Sequence, residues 1–262
     1  MSPSSSGDPH ALYERARRVA ERAGVRVDLP ATLPELVPED GRPGVVCGAD
    51  VELRPTTRAD RIPPGNLVVV LPGAHLDRCS FVFRGKGNVV VIGPDARLKL
   101  VALRVGGRDG TAVVGARSTW ASGTLISGGW HGAPPVSVVV GADCMISNGV
   151  VLRTTDSHGI FDAGTGERLN DPEDVLVHEH VWLGNGARAS KGARIDANAI
   201  LGQLSLATGT LQPGGLYAGV PAKLLRSRVT WSRSASWDDI PEEYAGADSE
   251  PGTPGPDEGP KA

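Results

Sequence analysis

The stretch VHEHVWLGNGARASKGARIDANAILGQLSLA, residues 177–207, decides the fold. Every sixth residue in it, Val177, Leu183, Ala189, Ile195, Leu201 and Ala207, is aliphatic or alanine. A fixed period outranks any local motif because it dictates the architecture. One inward aliphatic per six residues, with small residues between, describes short strands wrapping a triangular prism, three strands to a coil. Gly184, Gly186, Gly192 and Gly202 recur near the corners, where a positive φ or the close approach of the next coil excludes a side chain. Upstream, Val140, Ile146 and Leu152 keep one phase beside Gly141. Val114, Trp120 and Ile126 have the same spacing, and Ile92 and Leu98 begin it, so the repeat covers most of residues 90–210. An evenly spaced β-sandwich is the competing reading, since alternation alone does not separate the two. Six in-phase positions in succession favour the prism. Spacing leaves the hand open, because parallel crossovers are normally right-handed.

Outward from this core, residues 11–23 set Leu12, Ala16, Val19, Ala20 and Ala23 at helical spacing with Gly24 as the stop. Residues 1–66 are therefore read as a helix followed by an irregular, proline-dense region that caps the open first coil or completes a binding pocket. Residues 67–223 are read as the β-helix, interrupted by a loop at 154–174. Residues 224–245 form a packing segment with Trp231 and Trp237, and the Gly-, Pro- and acid-rich residues 246–262 a disordered tail.

The 262-residue chain carries a formal charge of -3, which removes a general electrostatic reason to bind nucleic acid. Only 4% of residues are aromatic, against 35 Gly and 21 Pro, a balance suited to short strands and many corners. Cys47, Cys79 and Cys144 lack C-x-x-C spacing and are odd in number, so neither a zinc knuckle nor a disulfide framework is implied, and a reducing cytoplasm is the simplest home. No stretch has signal-peptide character or the apolar length of a membrane helix.

Three ordered motifs carry a family resemblance: Thr154-Thr155-Asp156-Ser157-His158, then His180-Val181-Trp182-Leu183-Gly184, then Ala218-Gly219-Val220-Pro221-Ala222-Lys223. With them, residues 138–226 resemble the hexapeptide-repeat acetyltransferases, particularly those acting on sugar and polysaccharide hydroxyls. The resemblance implies a left-handed parallel β-helix, a homotrimer with sites between neighbouring prisms, and acetyl-CoA as donor to a sugar, glycan or glycosylated metabolite.

Attack of a hydroxyl on a thioester requires a base, and imidazole titrates nearest working pH. His158 lies in the loop that interrupts the repeat, and in the resembling enzymes the histidine here takes the proton. Asp156 is placed to hold the second ring nitrogen of His158, or simply to form a turn. Trp182 precedes an inward leucine and points outward, as a pocket wall or a subunit contact. Asn148 and Asn185 are acceptor-binding candidates, or corner residues in the left-handed conformation. Gly202, Gln203 and Ser205 match the family's pantetheine corner, Lys223 and Arg226 its basic end, and Lys191 is a further phosphate contact or a surface charge. Gln203 in place of a small residue and residues 211–215 depart from the family pattern, which supports a non-catalytic scaffold as the alternative; transfer to an amino sugar is another. His178 and His180 alternate on a strand and invite a metal, but no third histidine has suitable spacing, so none is expected.

Overall fold

A computed structural model describes residues 8–38, 44–54, 57–58, 62–130 and 132–245. The expected tail at 246–262 lies outside them. The chain forms the left-handed parallel β-helix, about seven turns long, with three walls. Wall A contains Val45–Cys47, Leu67–Val70, Val89–Ile92, Thr111–Val114, Ser137–Val140, Val175–Val177, Arg194–Ile195 and Thr210–Leu211. Wall B includes Met145–Ile146, Trp182–Leu183 and Ile200–Leu201, and wall C includes Ser80–Lys86, Val101–Arg108, Gly123–Ser127 and Val150–Arg153. The chain visits A, B and C in turn, so each coil has an A–B, a B–C and a C–A corner. Each crossover between neighbouring strands of one wall is two short strands and three corners, with no helix to impose the usual right-handed crossing.

Val177, Leu183, Ala189, Ile195, Leu201 and Ala207 all lie in the prism core, as do Val140, Ile146 and Leu152. The earlier coils are not built on six. Val70, Ile92 and Val114 stack in register 22 residues apart, whereas Val177 and Ile195 are 18 apart. Ile126 is accordingly not a core residue. Leu125 is, pairing with Leu103 and Leu152, while Ile126 faces outward in line with Arg104 and Arg153. Trp120 Nε1 donates to Ser122 O at 2.9 Å and Gly123 then turns at φ 153°, where a Cβ would strike the Val150 carbonyl; this tight corner shortens the step. The parallel ladder also begins earlier than residue 67, because Val45–Cys47 already pairs with Val68–Val70.

Wall A is buried on both faces, which explains its near-continuous valine runs. Its inner face joins the prism core, and its outer face is covered by α1, Pro9–Ala23. Asp8 caps α1 by accepting from His10 N at 3.1 Å, and Gly24 ends it at φ 70°. Leu12, Tyr13, Ala16 and Ala20 pack on Leu67, Val69, Val91, Val113 and Val139. The helix thus sheathes a wall rather than closing the open first coil. After the last wall-B strand, Ala222–Arg226 folds back antiparallel on Leu216–Gly219, and the chain then runs along the A–B corner, where Trp231 is buried and Trp237 is exposed. Among the described residues no helix is long and apolar enough to cross a membrane.

Candidate active site

The loop at 154–174 leaves the prism at the C–A corner, between Val150–Arg153 and Val175–Val177. Thr154 anchors its start, its Oγ1 accepting from Gly128 N at 2.9 Å and donating to Gly128 O at 3.1 Å. Ser157 turns through φ 68°, its amide donating to Thr155 Oγ1 at 3.1 Å, and this turn presents the next residue, His158, to solvent. The His158 imidazole has no hydrogen-bond partner among the described residues. Residues 160–169 then form a small hairpin, closed by Leu169 N to Ile160 O at 2.8 Å and Asp162 N to Glu167 O at 2.8 Å.

Asp156 does not hold the His158 ring. Its carboxylate takes Asn170 Nδ2 at 2.9 Å and Lys191 Nζ at 3.0 Å. Burial pushes this carboxyl up, but the Asn170 bond and the Lys191 charge outweigh it and hold the group below the usual aspartate value. Lys191 is thereby committed to the loop rather than left free for a phosphate. The residue that organises the loop is Asn170, which sequence reading missed. It is buried, Nδ2 also donates to His158 O at 2.7 Å, and Oδ1 accepts from Ile160 N at 2.8 Å. A lone asparagine near the return of a long insertion is the only sequence signal for it.

Beside Ser157 lies a cavity of about 540 Å³ lined by Arg84, Arg104, Ile126, Trp130 and Thr155. Arg168 from the hairpin stacks 3.3 Å over the Trp130 ring and braces the loop against this wall. Arg84 and Arg104 are exposed and have no ion-pair partner among the described residues. Nothing in the linear sequence marks them, because their neighbourhood is created by the 22-residue coils.

The remaining predicted residues sit elsewhere. Trp182 points outward from wall B, 36% exposed, and borders a second cavity of about 810 Å³ with His75, Arg97, Lys99, Met145 and Ser147. Asn148, Asn185 and Gln203 stack on successive coils of the B–C corner, where Asn148 O accepts from Gly186 N and Asn185 O from Leu204 N, both at 2.8 Å. The left-handed positions there are Gly149, Gly186 and Leu204, so neither asparagine is retained for its backbone conformation. Gly202 hands its amide to Tyr217 O at 2.7 Å, and Ser205 is buried, its Oγ accepting from Gly219 N at 2.9 Å; that hydroxyl serves the corner rather than a ligand. Lys223 and Arg226 are exposed on the strand that ends wall B. The predicted set is therefore split in two. His158, Asp156 and Lys191 occupy the C–A corner, and Trp182, the asparagines, Gln203, Lys223 and Arg226 occupy wall B and its edges, across the prism.

His178 and His180 do not share a strand face. His178 follows Val175–Val177, and His180 occupies the corner at φ 51°, with Nδ1 2.7 Å from Asp143 Oδ2. Burial, aided by Arg194, pushes the His178 pKa below that of an ordinary histidine.

No protein-family model matches the chain. It is 31% identical over 98 residues to the polysialic acid O-acetyltransferase of Escherichia coli O1:K1, an alignment covering 37% of this chain and 32% of that one. Against the polysialic acid O-acetyltransferase of Neisseria meningitidis the identity is 42% over 55 residues, 21% of this chain and 26% of the relative. The matched part thus spans less than a third of the length of either relative. Among solved structures, the polySia specific acetyltransferase NeuO superposes with a TM-score of 0.65 at 22% identity, over 77% of this chain and 90% of that one. The chain has that acetyltransferase's fold. The hexapeptide-repeat resemblance carried by the three motifs agrees with these matches.

Proposed function

We propose that the chain is an acetyl-CoA-dependent O-acetyltransferase acting on a hydroxyl of an acidic sugar or glycan, with His158 as general base and the active site between copies of a homotrimer. The observation that carries this reading is the split of the site. A base on the C–A corner and an aromatic wall with a basic edge on the opposite side form one site only if a neighbouring copy supplies the second half. A closed ring of three such head-to-tail contacts satisfies every copy.

In this arrangement the acceptor hydroxyl gives its proton to the His158 imidazole as its oxygen bonds to the thioester carbon. The tetrahedral intermediate then collapses, the C–S bond breaks, and the CoA thiolate leaves with the proton returned from the imidazolium. An exposed imidazole without a competing internal partner suits a base that must first receive a substrate hydroxyl. The donor lies toward the later coils, where Lys223 and Arg226 offer charge for its phosphates. The acceptor lies toward the earlier coils, between the wall-C cavity and the neighbour's wall-B cavity. A chain with formal charge -3 nevertheless leaves Arg84 and Arg104 on one side of that cleft without an ion-pair partner among the described residues, in a cavity that no carboxylate lines, while on the other side Arg97 and Lys99 share their cavity with Glu52 and Asp77. Unneutralised cations facing a cavity suit an anionic acceptor. The relatives named for polysialic acid point to the same chemistry.

The test is CoA-thiol release from acetyl-CoA with acidic and neutral glycan acceptors, for the wild type and for His158→Ala. Acceptor-dependent release that falls about a hundredfold or more in the variant is expected. Release that survives the substitution assigns the base elsewhere, and a wild type that neither releases thiol nor binds CoA is a scaffold.

A further inference from the structure

The chain after the last coil does more than close the prism. Trp231 is 4% exposed, and its Nε1 donates to the carbonyl of His180 at 2.8 Å. Its ring stacks on the His180 imidazole at 4.2 Å and 9°, and Tyr244 covers the other face of that imidazole at 4.4 Å and 6°. One coil earlier, Asp143 receives His180 Nδ1 at 2.7 Å through one carboxylate oxygen. Its other oxygen accepts Arg233 Nε at 3.1 Å and Nη2 at 3.0 Å. Arg233 also donates to Thr119 Oγ1 at 2.9 Å and Cys144 O at 3.0 Å, and Arg26 pairs with Glu243 at 2.8 Å. Residues 228–245 are thus latched along the A–B corner by stacked rings and ion pairs at sites spread over several coils.

The latch reaches the candidate site at one point. Trp231 lies 6.4 Å from Trp182, centroid to centroid, with the rings tilted by 48°, and among the described residues it is the only aromatic ring against Trp182. Trp182 otherwise projects from a two-residue strand into the wall-B cavity. An indole so placed keeps rotamer freedom that it must lose before it can shape a pocket. A ring braced on the A–B side offers its opposite face to the cavity.

We propose that Trp231, held by the Arg233–Asp143–His180 latch, is a positioning residue that fixes the Trp182 indole and thereby sets how tightly the acceptor is held. This rests on the acetyltransferase reading, in which Trp182 is a wall of the acceptor pocket. Trp231 touches no substrate. Its effect falls on the acceptor and not on the donor, whose residues lie toward the later coils.

The experiment compares full-length wild type, Trp231→Ala, Trp231→Phe and Arg233→Ala for kcat and for the KM of each substrate, with the far-ultraviolet exciton couplet of the paired indoles as a readout independent of activity. An aromatic pair of this kind is worth about three- to tenfold in an equilibrium. Trp231→Ala is therefore expected to raise the acceptor KM about three- to tenfold, while the acetyl-CoA KM and kcat at saturating acceptor hold. Trp231→Phe, which keeps a stacking ring, recovers most of the acceptor KM, and Arg233→Ala, which loosens the latch and leaves both rings intact, falls between. Trp231→Ala and Trp182→Phe each abolish the same couplet, and the double variant removes nothing more. Should Trp231→Ala fail to fold, Trp231→Phe and Arg233→Ala carry the test: an Arg233→Ala enzyme with the wild-type acceptor KM overturns the proposal. An active wild type whose Trp231→Ala variant keeps its acceptor KM, or loses kcat and both KM values together, overturns the positioning role alone. A wild type without transfer activity overturns the acetyltransferase reading, and this proposal with it.

Discussion

Asn170→Ala is the perturbation that most directly separates the loop from the prism. It removes three bonds: to His158 O at 2.7 Å, to Asp156 Oδ2 at 2.9 Å and from Ile160 N at 2.8 Å. The Asp156 carboxylate is 41% exposed and keeps Lys191 and water, so its share is small. The other two join backbone groups around a residue that is 4% exposed, and at about 1 kcal/mol each their loss costs about 2 kcal/mol. That corresponds to roughly a thirtyfold rise in the open fraction of the loop. The cost falls on a sub-global opening and leaves the coils intact, so the melting temperature stays near that of wild type while the loop amides exchange faster. Hydrogen exchange resolved at the Ile160 amide is the assay, with thiol release measured in parallel. The reasoning fails if that amide keeps its wild-type protection, or if exchange accelerates evenly across wall A together with a fall in melting temperature.

Gly141→Ala would place a Cβ 2.5 Å from Glu179 N and 2.6 Å from His178 C, both backbone atoms of the next coil. It should cost about 2 kcal/mol in urea unfolding, whereas Gly209→Ala, with open space around it, should be close to neutral; equal effects would refute close coil stacking as the reason for Gly141. Arg104→Ala should raise the KM for an acidic acceptor about fivefold and leave that for a neutral one unchanged, a distinction lost if the cavity reads shape alone. The carboxyl of Asp143 is pushed up by burial, but the His180 bond and Arg233 outweigh this, and Arg26 holds Glu243 down; both lie below the ordinary carboxylate range. A depressed folded pKa gives stability that is complete above the unfolded value and lost as pH falls through the folded one. The C-terminal latch should therefore loosen below about pH 4, followed by tryptophan emission, and Asp143→Asn should flatten that dependence.

The sequence by itself determined the solenoid, because a six-residue alternation of aliphatic and small residues over residues 177–207 has few ways to bury its apolar atoms, and stacking coils is one that uses every position. It also determined α1, whose apolar stripe and Gly24 stop are local properties, and it singled out His158 and Trp182 through motifs in which each residue is a few positions from the next. What it misread depended on coil length. Ile126 was placed in the core by counting six, although the tight turn at Gly123 makes Leu125 the inward residue. Proximity in the chain lets Asp156 either hold the His158 ring or form a turn, and the turning loop aims its carboxylate at Lys191 and Asn170. Only the tertiary structure decided that Arg84 and Arg104 share a cavity with Ser157, that α1 sheathes wall A, and that Trp231 returns from the C-terminal segment to meet Trp182. It also decided that His158 and Trp182 stand on opposite sides of one prism. The physical reason is that side-chain direction along a strand is set by local alternation, but which walls and coils meet is set by the number of residues spent in each turn, and outside the regular stretch 177–207 no local period records that number.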